Sequence, residues 1–121
     1  MANVVPTISS IAFPAGAVAV TWTPIGDSDT CINYMAPGMD CVSVQATGTF
    51  GGASVALQGS NDGTNFAGMT GKGGTSAIAI TSAGMKAPNE NAIYYRPVSS
   101  GGSSSSLTVV ALFFPRIPRV Y

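Results

Sequence analysis

The sequence predicts an all-β protein: a single antiparallel β-sandwich, jelly-roll or immunoglobulin-like, of about seven or eight strands with an extended arm at each end. Three observations carry this. Apolar residues recur with period two in short, evenly spaced runs, the signal of strands with one buried face. Glycine-rich turns separate the runs, and no helical period survives over a useful window. The stretch GTFGGASVALQGSNDGTNF, Gly48 to Phe66, shows the grammar in full. Its two runs are joined by Gly51-Gly52 and closed by Asn61-Asp62-Gly63, three residues suited to the positive φ of a tight turn.

Taken in order, residues 1–15 read as an extended arm, because Pro6 and Pro14 push the residues before them toward β or polyproline geometry. No Lys or Arg opens the chain and its first charge is Asp27, so a secretory signal is not expected. The domain proper spans residues 16–114. GAVAVTWTPI puts Val18, Val20 and Trp22 on one face and Ala19, Thr21 and Thr23 on the other. A loop follows from Gly26 to Asp40, and then CVSVQATGTF, with Val42, Val44, Ala46 and Phe50 inward or near the turn. ASVALQGS, a short run near Phe66, and SAIAIT with Ile78 and Ile80 come next. Residues Ser82 to Gly84 allow at most one helical turn. In AIYYRPV, Ile93, Tyr95 and Pro97 alternate against Tyr94 and Arg96, and Pro97 calls for an edge or a bulge. The serine run Gly101 to Ser106 reads as a flexible hairpin loop. The expected core is Val18, Val20, Trp22, Val44, Val55, Leu57, Ile78, Ile80, Tyr95, Leu107 and Val109.

The last strand, LTVVALFF, differs from the others. Leu107, Val109, Ala111 and Phe113 share one face, while Val110, Leu112 and Phe114 make the opposite face apolar too. A strand apolar on both sides calls for cover on both. Left exposed, each such side chain forgoes roughly 1.5–3 kcal/mol. Either a loop or the N-terminal arm folds over this face, or it is a subunit interface. Beyond it, residues 115–121 (PRIPRVY) form an extended tail, since Pro115 and Pro118 lack donors for a central strand. It carries Arg116, Arg119 and Tyr121; such a tail is either disordered or, with Ile117, Val120 and an aromatic end, docked on a neighbour.

Composition narrows the function. Charged residues are 8% of the chain against about 25% in ordinary soluble domains. Five basic residues balance five acidic ones, which leaves no field to steer the protein to nucleic acid or an anionic membrane. So little charge on a chain without an expected membrane span points to a surface covered by assembly. Histidine is absent, which removes the usual general base, the commonest zinc ligand and any Ser-His or Cys-His pair. Asp27 and Asp29 could share a cation with backbone carbonyls, but no complete calcium loop surrounds them and a solvated turn is the default. Asp62 serves its own turn. Trp22 belongs to the core rather than to a stacking platform. No catalytic residue, metal site or cofactor is expected. Cys31 and Cys41 read as two buried, reduced thiols; closing the loop between them would contribute about 2–3 kcal/mol.

The string VSVQATGTFGGASVALQGSNDGTNF, followed by NENAIYYRPVSSGG and SLTVVAL, resembles small head decoration, or cement, proteins of tailed bacteriophages. The resemblance runs from about Val42 to Leu112. It departs from the pattern where Phe66 replaces tryptophan, preserving an aromatic core anchor, and where the hairpin is serine-rich instead of acidic. The resemblance implies a non-enzymatic virion protein, made in the host cytoplasm, that binds the major capsid protein on the outer shell. It also implies a homo-oligomer, a trimer suited to threefold lattice points. On that reading the interface residues are Val110, Leu112, Phe114, Arg116, Ile117, Arg119 and Tyr121, with the arm and tail reaching neighbours and the arginines pairing with capsid carboxylates. A tail, neck or head-fibre component is an alternative. The SNDG run is also similar to discoidin-type carbohydrate-binding modules, in which it is a structural hairpin.

Overall fold

Alternation along the chain becomes sheet pairing in the computed structural model, which describes residues 3–11 and 15–116. The protein is all-β, and no helix forms among the described residues. Six strands are five residues or longer: β2 (Thr7–Ile11), β3 (Ala17–Ile25), β6 (Met39–Thr49), β7 (Ala53–Ser60), β10 (Tyr94–Gly101) and β11 (Ser106–Pro115). Five others have two or three residues: β1 (Asn3–Val4), β4 (Thr30–Cys31), β5 (Tyr34–Met35), β8 (Ala67–Gly68) and β9 (Gly84–Lys86). They form a five-stranded sheet in the order β2-β3-β11-β6-β9, a four-stranded sheet β5-β10-β7-β8, and the parallel pair β1-β4.

One core cluster draws on both larger sheets. Trp22 and Phe113 from the five-stranded sheet and Tyr95 from the four-stranded one have no exposed surface. The Phe113 ring meets Tyr95 edge-on at 4.9 Å and Tyr34 at 5.3 Å between centroids. Their polar atoms are satisfied: Trp22 Nε1 donates to the Ile32 carbonyl at 2.7 Å, and Tyr95 Oη accepts from the Ala92 amide at 2.8 Å. Of the expected core, Val18 alone is only half-buried. The cluster also takes in Val4, Ile25, Cys31, Ala36, Cys41, Ala46, Ala53, Met69, Ala111 and Phe113.

Several local expectations change. Residues 3–11 are extended but lie within the sheets: β1 pairs with β4, and β2 continues the five-stranded sheet beyond β3. They do not fold over the outer face of β11. In β6 a register shift opposite Leu112 and Phe113 leaves Val42 unpaired, so Cys41 turns inward and Val42 stays 38% exposed. A β-bulge inserts one residue and thereby exchanges the faces beyond it. The loop 26–40 contains β4 and β5. SAIAIT is not a strand; it is tied by isolated bridges, Thr70 to Ala77 and Val55 to Ile80, that bury Ile78 and Ile80. Residues Ser82 and Ala83 form a bend rather than a helical turn. Pro97 faces the side of β10 where β5, paired only at Tyr94 and Tyr95, has already ended.

The turns follow the backbone demands of glycine. Gly51 and Gly52 both have positive φ (57° and 89°) in a tight turn closed by the Ala53 amide donating to the Phe50 carbonyl at 2.8 Å; it carries the chain from β6 in the five-stranded sheet to β7 in the four-stranded one and is not a hairpin. A side chain at Gly51 would put Cβ 2.2 Å from the Ser103 carbonyl oxygen. In the Asn61-Asp62-Gly63 turn only Gly63 is left-handed (φ 78°). Hydrogen bonds fix the rest. Ser60 Oγ accepts from the Asp62 and Gly63 amides, and Asp62 Oδ1 accepts from Thr64 and Asn65, each at 2.8 Å.

The serine run is neither a hairpin nor loose. It carries the chain from β10 in one sheet to β11 in the other. Asp27 accepts hydrogen bonds from the Ser104 amide at 2.7 Å, the Ser105 amide at 3.1 Å and the Ser105 hydroxyl. Asp27, Asp62 and Glu90 are all held below their ordinary carboxyl values of 3.8, 3.8 and 4.5 by such donors: Ser105 first for Asp27, Asn65 for Asp62, Thr70 for Glu90. A carboxyl whose folded pKa is depressed stabilises the protein above its unfolded pKa and loses that contribution as pH falls. The thermal midpoint is therefore expected to hold from neutral pH to about 5 and to decline below about 4. Asp27→Ala should lower the midpoint at pH 7 and flatten the acid limb. A midpoint constant down to pH 2 in calorimetry would contradict this account.

Candidate interaction face

Cross-strand register builds the outer face of the five-stranded sheet row by row, because directly paired residues point to the same side. One row runs Thr7, Thr21, Val110, Gln45, Met85 across all five strands. The next runs Ser9, Ala19, Leu112, Ser43. Nearer the start of β11, Thr23 and Thr108 join their hydroxyls at 2.7 Å, and Thr47 lies opposite Thr108. No charge appears in any of these rows. Val110, Leu112 and Phe114 form an apolar stripe along the central strand, half-buried by their neighbours alone, and Met85 at the sheet's edge is 58% exposed. The inner face of the same strand is fully buried: Leu107, Val109, Ala111 and Phe113 show no exposed surface.

Charge begins only at the end of the stripe. Phe114 pairs with Asp40, whose Oδ1 accepts from Arg116 Nε at 2.6 Å, while the Arg116 amide donates to the Gly38 carbonyl. Both side chains are about half exposed (53% and 46%), a setting in which an ion pair contributes little to stability. Arg116 thus has a carboxylate partner within its own chain, which alters the expectation that it reaches for one on a neighbour. Ile117, Arg119 and Tyr121 lie outside the described residues.

The remaining candidates are structural. Asp27 staples the sheet-crossing loop, and Asp29 Oδ2 accepts from the Gly26 amide at 2.7 Å, so both carboxylates serve backbone donors. Phe66 is not a core anchor. It lies half-buried beneath Arg96, whose guanidinium carbon sits 3.9 Å from the ring centroid while Nε donates to Gln58 Oε1. The two cysteines are free and buried. Burial pushes the Cys31 thiol up to about 11, with the Asp29 charge adding, and the Cys41 thiol up to about 12. The thiolate is the reactive form, so neither thiol should react with a disulfide reagent in native protein at pH 8, and both should react in denaturant. Rapid stoichiometric labelling of the native protein would contradict the packing.

Sequence reasoning found the stripe through the two-faced apolar pattern of LTVVALFF. It missed Ala19, Thr21, Ser43, Gln45 and Met85 as its setting, since only register reveals which small and polar residues stand beside it. No protein-family model, curated protein or solved structure matches this chain.

Proposed function

We propose that this chain is a non-enzymatic structural protein of a bacteriophage virion, binding the outside of the capsid shell as a cement protein. The observation that carries the reading is the uncharged outer face with its Val110-Leu112-Phe114 stripe on a central strand. An apolar stripe set in a face without charge is the kind of surface that marks an interaction site. A chain of 8% charged residues makes such cover the economical way to stay soluble. In this reading the two larger sheets are the layers of a single sandwich, and copies of the chain associate through the outer face of the five-stranded layer. Three copies suit the threefold points of an icosahedral lattice, a number that rests on the resemblance to phage decoration proteins. The partner is the major capsid protein, and the site of action is the virion surface.

Co-sedimentation with expanded, mature-like capsid shells tests the proposal. A cement protein binds at a fixed ratio to the shell subunits and raises the temperature at which the shells open. Free protein remaining in the supernatant at every concentration, with shell stability unchanged, would dispose of it. The genomic neighbourhood offers a cheaper check, since a capsid gene should lie nearby.

A further inference from the structure

The four-stranded sheet carries a second feature, away from the stripe. At its β7–β8 edge a cleft of about 360 Å³ opens beside the Ser60–Asn65 turn and the Glu90–Ala92 segment. That volume is at the low end of the roughly 300–1,000 Å³ typical of small-ligand sites. Its floor is apolar, made by the buried Met69 together with Ala67 and Ala92. Its rim is polar and nearly neutral: three asparagines, Asn61, Asn65 and Asn91, and one carboxylate, Glu90.

The hydrogen-bonding state of the rim separates residues that build the fold from residues left over. Glu90 is fixed, its Oε1 and Oε2 accepting from the Thr70 amide at 2.8 Å and hydroxyl at 2.5 Å. Asn89 Nδ2 lies within 2.9 Å of Thr70 Oγ1, Gly71 O and Gly74 O and so holds the adjoining loop. Asn65 gives its amide and its Nδ2 to Asp62, which leaves Oδ1 open. The Asn61 and Asn91 side chains have no partner among the described residues. Each free amide offers two donors and an acceptor. The cleft therefore brings free amide donors and acceptors together beside an apolar lining of Ala67, Ala92 and the small exposed edge of Met69.

From this arrangement we infer that the cleft binds a neutral saccharide unit. Hydroxyl groups, each both donor and acceptor, match the mixed rim, and the C–H face of a sugar ring matches the floor. Other ligand classes fit less well. A phosphate or nucleotide needs cations, and no Lys or Arg lines the cleft among the described residues. A divalent cation needs several carboxylates, and the single one present is already hydrogen-bonded. A sugar acid would bring its charge toward Glu90. The cleft lies on a different sheet from the stripe, so saccharide binding is an activity separate from assembly through the outer face.

The test is saturation-transfer difference NMR on the full chain, with glucose, galactose, mannose, N-acetylglucosamine and their disaccharides as probes. Transfer to at least one neutral sugar with millimolar Kd is expected. Binding should weaken about tenfold or more in Asn61→Ala/Asn91→Ala, which removes two hydrogen-bonding amides. Both positions are exposed and otherwise unpartnered, so the double variant should melt with the wild type. No transfer to any neutral sugar, undiminished transfer in the double variant, or binding of acidic sugars alone would each overturn the inference. None of these outcomes bears on capsid binding, which co-sedimentation reads separately.

Discussion

Phe113→Ala is expected to destabilise the protein by about 3–5 kcal/mol, the range for deleting a fully buried aromatic ring. Phe113 has no exposed surface and joins the two sheets through the Tyr95 and Tyr34 rings. Truncation removes the transfer free energy of the ring and leaves a cavity between strands that β-pairing holds apart. It also strips Tyr95 of its edge-on neighbour, a contact worth about 0.5–1.5 kcal/mol beyond area burial. Single domains have only about 5–15 kcal/mol in total, so the variant should unfold at a much lower urea midpoint with a similar slope. Phe113→Leu keeps most of the volume and should retain most of the stability. An alanine variant that loses under 1 kcal/mol would show that the two sheets do not depend on this residue.

The same residue illustrates what could be read in advance. Period two placed Leu107, Val109, Ala111 and Phe113 on one face of LTVVALFF, and all four are buried. Alternation reports facing wherever a strand runs without interruption, and it succeeded again for Val20 and Trp22, and for Val55 and Leu57. It failed at Val42, where the bulge in β6 shifted the register and exchanged Cys41 for Val42 in the core. Nothing local marks that bulge, because it is set by pairing with β11, far along the chain. Long-range partners also account for the loop misread as flexible. GGSSSS has no side chains to pack, yet Asp27, more than seventy residues earlier, anchors Ser104 and Ser105. Turn chemistry was legible at Gly51-Gly52, where both glycines take the positive φ their position needs. The candidate site was half legible. Its apolar stripe is a sequence pattern, while the uncharged rows beside it exist only once five strands are in register.

Leu112→Asp should abolish self-association and capsid binding while leaving the fold in place. Leu112 stands at the middle of the stripe, between Val110 and Phe114, with Ala19 and Ser43 as its lateral neighbours. None of these offers a counter-charge. Buried against another uncharged face, a carboxylate would lose its hydration without compensation, a cost of several kcal/mol, whereas on the isolated chain it stays in contact with water. The larger penalty thus falls on the complex; the subunit loses only the packing of a half-buried leucine and a strand-propensity cost of at most about 1 kcal/mol. Light scattering at micromolar concentration should show an oligomer for the wild type and a monomer for the variant, and co-sedimentation with shells should fall by more than tenfold. Leu112→Thr, polar but uncharged and well suited to a strand, should weaken association less. If the wild type is itself a monomer, or if Leu112→Asp assembles and binds shells undiminished, the outer face of β11 is not the interface. An aspartate variant that fails to fold would leave the threonine variant to decide the point, since its smaller loss of apolar surface still falls on the complex.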